Sequence, residues 1–129
     1  MPISSAQVLV LVQRFQALAD EVEAKRAVVP FMSDEWHSLG QQRRALTRAS
    51  GQLQDTALSA ALDELEPHYD AMLSVVRDLK DEIGREEKIE RVLSIVASGL
   101  AISAAVLESN PAAVFKALDK ARLLLTESA

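Results

Sequence analysis

The chain has 129 residues, of which 49% are hydrophobic and 26% are charged, so it is long enough for one domain with a buried core and is unlike a disordered segment. It contains four Gly, four Pro and no Cys, which argues against a turn-rich β-sandwich and excludes disulfides, thiolate catalysis and cysteine zinc sites. A formal net charge of −5 disfavours binding to the phosphate backbone of nucleic acids.

The N-terminal region predicts a helix over residues 4–29. Ser4 and Gln7 have the spacing of a capping box, in which each side chain accepts a hydrogen bond from the backbone N–H of the other. Apolar residues then recur at alternating spacings of three and four, which is typical of a packed helix; they are Val8, Leu11, Phe15, Leu18, Val22 and Val29. Pro30 ends this helix because the residue before a proline avoids the α region.

The apolar run at residues 8–12 has no basic residue before it. A secretory signal begins with positive charge and ends in small residues at a cleavage site. We therefore expect a buried helical segment rather than a signal peptide, and a cytoplasmic protein.

Two further helices are predicted over residues 34–50 and 55–83. Ser33 or Asp34 is the candidate N-cap of the first, and Gly51 is the candidate left-handed residue that ends it. In the second, the apolar spacing runs without a change of phase through Pro67. We therefore predict one long helix that is kinked at that proline.

The C-terminal part predicts helices over residues 86–108 and 111–127. Asn110 is a good N-cap for the second of these, and Pro111 suits its first position. The expected fold is all-α: an elongated antiparallel bundle of about five helices that forms a single domain over residues 1–129. The apolar faces exceed what one small chain covers, so we also expect a homodimer.

Acidic charge is concentrated in residues 55–91, which contain eleven acidic and five basic side chains. One interpretation is a solvated helix face with i,i+4 ion pairs, such as Asp81–Arg85 and Glu87–Arg91. The other is a docking face for a basic protein partner. The candidate partner-binding residues on this face are Asp70, Asp78, Asp81 and Glu82.

Three large apolar residues lie close together at the second helix boundary: Phe31, Met32 and Trp36. They form either a hydrophobic plug that closes one end of the bundle or an anchor in a partner interface, where Trp and Met are favoured.

Residues 92–107 contain no charged side chain, and small residues recur in them four apart. They predict either the central helix of the bundle or a helix that enters a bilayer, where small residues allow close packing. At roughly 24 Å the segment is shorter than the ~30 Å hydrocarbon core. It resembles in composition the buried helix of α-helical pore-forming toxins, which implies release on membrane contact. The candidate insertion residues are Val92, Ile95, Val96, Gly99, Leu100, Ile102, Val106 and Leu107.

No combination of residues suggests a catalytic or metal site. Asp34 precedes His37 by three, but Leu65 occupies the matching position before His68, so the paired motif of di-iron bundles is broken. A cluster of Arg43, Arg44 and Arg48 lacks the stacking aromatic residues of a nucleic-acid site.

We therefore expect a non-enzymatic module of the inhibitor, immunity or adaptor type. It would bind another protein through an acidic helical face, without metal, cofactor or nucleic acid. The alternative is a membrane-active bundle in which residues 92–107 insert into a bilayer.

Overall fold

A computed structural model describes residues 4–56 and 65–127 of the chain. Within these ranges it contains five α-helices and no strand, which confirms the predicted all-α helical bundle. The helices are α1 (Ser5–Arg26), α2 (Asp34–Thr56), α3 (Tyr69–Arg85), α4 (Ile89–Leu107) and α5 (Pro111–Thr126).

Contacts at both ends of α1 give the direction of the helices. The Tyr69 hydroxyl donates to the Gln7 carbonyl oxygen at 2.7 Å, and the Lys25 ammonium donates to the Glu86 carbonyl oxygen at 2.6 Å. The first contact joins the start of α1 to the start of α3, and the second joins the end of α1 to the residue that follows α3. The two helices therefore run parallel. α2 and α4 run in the opposite direction, and α5 returns so that its Leu124 carbonyl accepts from Arg91 at the start of α4.

The core lies around α4, which packs against all four other helices. The apolar residues predicted for α1 are buried, with the exception of Val29 beyond the end of the helix. Gly99 lies at the crossing of α4 with α1, where its missing side chain leaves room for Leu18. The largest fully buried side chains are Phe15, Leu18, Leu39, Leu46, Leu53, Leu65, Met72, Leu79, Ile83, Ile95, Ile102 and Leu118.

The predicted helix caps of α1 and α5 are confirmed. The Ser4 hydroxyl accepts from the Gln7 backbone amide at 3.1 Å, and the Gln7 side chain accepts from the Ser4 amide at 2.8 Å. Asn110 Oδ1 accepts from the amides of Ala112 and Ala113, and Pro111 occupies the first turn of α5.

Several helix boundaries differ from the prediction. Residues 55 and 56, predicted to begin the third helix, belong to α2, and α3 ends at Arg85 rather than at residue 83. α1 ends at Arg26 rather than at residue 29, because the chain before Pro30 already forms tight turns. α2 does not end at Gly51: it continues to Thr56, since Gly51 is exposed and the following Leu53 is fully buried. α4 begins at Ile89, because Glu86 and Lys88 have extended backbone conformations.

The predicted kink at Pro67 is replaced by a change of helix type. Residues 65–68 form a 3₁₀ turn that contains Pro67, and α3 starts only at Tyr69. The part of the predicted helix at residues 57–64 lies outside the described residues.

Candidate functional site

The connection between α1 and α2 is a tight turn built by Pro30 and Ser33. The Ser33 amide donates to the Pro30 carbonyl oxygen at 3.1 Å, which closes a four-residue β-turn with Phe31 and Met32 at its centre. The Ser33 hydroxyl donates to the same carbonyl at 2.7 Å and accepts from the Trp36 amide at 3.1 Å. Ser33 is therefore the residue that caps α2.

Met32 has an unusual backbone conformation in this turn. Its φ angle is +69°, in the left-handed region. The third position of a β-turn with positive φ is normally occupied by Gly or Asn, because a β-carbon there approaches the carbonyl oxygen. A strained residue on a protein surface motivates a hypothesis of function.

The side chains at this turn are exposed to solvent. The relative exposure is 77% for Val28, 78% for Phe31 and 58% for Met32; we call these three residues the apolar tip. The plug hypothesis is therefore wrong for Phe31 and Met32, since neither is buried in the bundle. Sequence reasoning missed Val28 because it extended the first helix to residue 29.

Trp36 packs against Phe31 of the apolar tip and is itself held by Arg26. The guanidinium carbon of Arg26 lies 3.7 Å from the centroid of the Trp36 ring, and Arg26 Nε donates to the Trp36 carbonyl oxygen at 3.1 Å. The ring of Phe31 meets the indole edge to face, with 4.9 Å between centroids. Gly40 gives Arg26 its room, since a β-carbon there would lie 3.0 Å from Arg26 Nε.

The border of the apolar tip is acidic. Asp34 and Glu35 occupy the first turn of α2, where they are exposed. Neither forms an ion pair within the described part of the chain, whereas Arg26 lies 3.6 Å from Glu23. The surface thus combines exposed apolar side chains with free carboxylates.

The predicted acidic face on α3 is less acidic than the sequence indicated. Asp70 and Asp81 are exposed and Asp78 is half-buried, but Glu82 is only 8% exposed and pairs with Arg85 at 2.9 Å. This hydrogen bond raises the pKa of Arg85. The predicted Asp81–Arg85 pair is therefore wrong, because Glu82 takes the arginine.

Basic residues on α3 itself offset its carboxylates. The helix carries four acidic and three basic side chains, and Arg77 lies 3.5 Å from Asp78. A cavity of about 260 Å³ opens beside this face, lined by Asp78, Asp81, Glu82, Arg85 and Leu125. The net charge of the α3 face is therefore small, which weakens its attraction for a basic partner.

Glu86 organises the junction between α3 and α4. Its Oε1 accepts from the backbone amides of Glu87 and Lys88, and its Oε2 lies 3.0 Å from Arg91 Nε. The Lys88 amide, followed by Arg91, holds the pKa of the Glu86 carboxyl below its usual range. The predicted Glu87–Arg91 pair is thus replaced by Glu86–Arg91.

α4 is both a core helix and the most apolar helix of the bundle. With 19 residues and a mean hydropathy of 1.7 it is long and apolar enough to cross a membrane, and 44% of that window is buried inside the bundle. Of the candidate insertion residues, Leu100 and Leu107 are half-buried. The others are fully covered, namely Val92, Ile95, Val96, Gly99, Ile102 and Val106.

Each histidine lies near an aromatic ring, and one arginine of the cluster pairs with α1. His37 is exposed and its ring lies 5.1 Å from that of Trp36, while His68 precedes α3 and lies 6.4 Å from Phe115. Over residues 4–56 and 65–127, no group of three His, Asp or Glu side chains is placed to hold a metal ion. Arg43 lies 3.5 Å from Glu23 on α1.

Comparisons with protein-family models, with curated proteins and with solved structures find no match to this chain. The roles of the apolar tip and of α4 are therefore inferred from burial, charge and geometry.

Proposed function

We propose that this protein is a non-enzymatic module of the inhibitor, immunity or adaptor type that binds another protein through the apolar tip. The observation that carries the proposal is the exposure of Phe31 and Met32 on a turn held in a left-handed conformation. The 78% exposure of Phe31 and the left-handed conformation of Met32 are each unfavourable for the chain alone. Both are explained if the tip is buried against a partner.

The rigidity of the tip favours recognition. Ser33 closes the turn and Arg26 holds Trp36 beneath it, so little conformational entropy is lost on binding. Aromatic residues and Met are also the side chains that anchor protein interfaces.

The charge around the tip defines the chemistry of the partner. Asp34 and Glu35 are free carboxylates beside the exposed Phe31 and Met32. We infer a protein surface with an apolar cleft bordered by Lys or Arg side chains, which steer the encounter. A cytoplasmic location is part of this proposal.

The test is affinity capture from the native host with matched variants. Phe31→Ser removes the aromatic ring of the tip, and Leu123→Ser removes an apolar side chain that is 59% exposed on α5. The wild-type protein and Leu123→Ser are expected to capture the same protein, and Phe31→Ser is expected to lose it. Equal capture by all three contradicts docking through the tip.

A second pair of variants separates the tip from the acidic face of α3. Reversing Asp34 and Glu35 to Lys is expected to slow association and to reduce its dependence on salt. Reversing Asp70, Asp78 and Asp81 to Lys is expected to have little effect. The opposite result would assign docking to α3. Glu82 is left unchanged in this test, because its burial and its ion pair make it structural.

A second candidate function is membrane insertion of α4, favoured by its length and hydropathy. Insertion would require α4 to leave all four helices that it contacts. Liposome flotation tests this with Ala97→Asp: because Ala97 is exposed, the variant is expected to retain the bundle, which circular dichroism checks. Flotation of the wild-type protein that Ala97→Asp abolishes would support insertion, and absence of wild-type flotation would exclude it for the lipids used.

A further inference from the structure

The sulfur atoms of this chain belong to methionine alone. The sequence contains three Met and no Cys, so a methionine thioether is the only sulfur that a peroxide can oxidise. Met32 is 58% exposed in the apolar tip, whereas Met72 of α3 is 0% exposed in the core. Met1 lies outside the described residues. Within residues 4–56 and 65–127, Met32 is therefore the sulfur that an oxidant in solution reaches.

Oxidation of Met32 is expected to spare the fold. Its side chain lies outside the hydrophobic core. The turn that carries it is closed by the Ser33 amide and hydroxyl, both of which donate to the Pro30 carbonyl oxygen. None of these hydrogen bonds uses the Met32 side chain. The same oxidation at Met72 would place a polar group in a closely packed core, so the two methionines have opposite consequences.

We propose that Met32 is a redox modification site that switches docking of the apolar tip. The inference rests on the proposed function, in which the tip is buried against a partner. A thioether is apolar and suits such a contact, whereas a sulfoxide is polar and chiral. Burying the sulfoxide oxygen without a hydrogen bond is unfavourable. The oxidised tip therefore releases the partner.

The reaction is a two-electron oxygen transfer from hydrogen peroxide. The Met32 sulfur attacks one peroxide oxygen, so that an S–O bond forms and the O–O bond breaks. The sulfur is oxidised to the sulfoxide, and the second oxygen leaves with both hydrogens as water. A methionine sulfoxide reductase supplied with two thiols reverses the change: the thioether returns, the thiols become a disulfide, and the sulfoxide oxygen leaves as water.

The first measurement needs no partner. The native protein is treated with hydrogen peroxide, and peptide mass spectrometry follows the oxidation of Met32 and Met72. Because susceptibility follows exposure, Met32 is expected to oxidise roughly tenfold faster or more, and the two rates are expected to become similar in urea. Circular dichroism and the urea midpoint are expected to be unchanged when Met32 is oxidised. Equal rates in the native protein, or loss of the fold on oxidation of Met32, overturns the proposal.

The second measurement is affinity capture from a lysate of the native host. Peroxide is removed before the lysate is added, so that only this protein is oxidised. Protein oxidised at Met32 is expected to bind the partner roughly tenfold more weakly, and the methionine sulfoxide reductases for the two epimers are expected to restore binding. Met32→Leu, which has an apolar side chain without sulfur, is expected to respond in no way to peroxide. Binding that oxidation leaves unchanged, or that falls equally in Met32→Leu, overturns the proposal.

Phe31→Ser separates this switch from the docking on which it rests. If Phe31→Ser loses the partner while the oxidised wild-type protein retains it, docking through the tip stands and the redox switch is wrong. If Phe31→Ser retains the partner, or if the wild-type protein captures none, both proposals are wrong.

Discussion

Gly99 of α4 lies against the side chain of Leu18 of α1: a β-carbon at Gly99 would be 2.5 Å from Leu18 Cδ2. Leu18 is fully buried, and protein cores are closely packed. The two helices therefore approach as closely as they do only because residue 99 has no side chain.

Alanine substitutions at two helical glycines test this contact. Gly51→Ala is expected to raise the free energy of unfolding by about 0.5–1 kcal/mol, because nothing lies within 4 Å of its new β-carbon. Gly99→Ala gains the same helix propensity but overpacks the core, which costs about 1–3 kcal/mol. We expect a net loss of about 1 kcal/mol, measured by urea unfolding. Equal stabilisation by both variants would contradict the close approach at Leu18.

Glycine substitutions are expected to stabilise the fold at two residues that have left-handed backbone angles. Met32 and Ser109 have φ angles of +69° and +55°. Ser109 ends α4: its amide donates to the Val106 carbonyl, and the Asn110 amide donates to Ala105, a pattern that favours glycine. Met32→Gly and Ser109→Gly should each raise the free energy of unfolding by about 1 kcal/mol.

The same two variants separate stability from function. If the apolar tip binds a partner, Met32→Gly weakens binding although it stabilises the fold, whereas Ser109→Gly only stabilises it. Thermal unfolding and partner capture on the same samples distinguish these effects. A destabilised Met32→Gly would show that the Met32 side chain makes a structural contact.

Tyr69 links the starts of α1 and α3, and its ionisation is expected to destabilise the bundle. Burial, and then the carboxylate of Asp70, raise the pKa of Tyr69 above the usual tyrosine value of about 10. Because the folded protein holds this proton more tightly, the contribution of Tyr69 to stability is complete below pH 10 and is lost as the pH rises through the folded pKa.

The chain contains one tyrosine, so ultraviolet titration of tyrosinate measures this pKa directly. The folded protein should titrate above the urea-unfolded protein. Tyr69→Phe removes the hydrogen bond to Gln7, which costs about 1 kcal/mol at neutral pH, and should flatten the alkaline loss of stability. Identical titration curves for the folded and unfolded protein would refute the assignment.

Glu86 should make the stability of the fold depend on pH in the acid range. Its lowered pKa means that its stabilising effect is present above the unfolded pKa and is lost as the pH falls through the folded pKa. Glu86→Gln is therefore expected to lower the urea midpoint at pH 7, with the difference from wild type disappearing in acid. Glu87→Gln, whose side chain is exposed, is the matched control and should leave the midpoint unchanged.

The sequence predicts those parts of the fold that depend on local chemistry. Each helix cap depends on residues within one turn of the chain, so both caps could be predicted from the sequence; they are Ser4 with Gln7 and Asn110 with Pro111. The alternating spacing on α1 also identifies buried residues, since helix periodicity alone determines which side chains share a face.

Features that depend on packing could not be predicted. Gly51 looks like a helix end, but the burial of Leu53 carries α2 past it. Glu82 and Asp81 are adjacent carboxylates in the sequence, and only the fold shows that one is buried beside Arg85. The exposure of Phe31 likewise depends on where Ser33 closes the turn.

The two hydrogen bonds that fasten α1 to α3, Tyr69 to Gln7 and Lys25 to Glu86, each join residues about sixty positions apart. Closing such long loops costs chain entropy, whereas the α1–α2 and α4–α5 hairpins close over short turns. During folding the hairpins are therefore expected to form early. The parallel pairing of α1 with α3 then becomes the slow step, and mutations at Tyr69 or Lys25 should slow folding more than they speed unfolding.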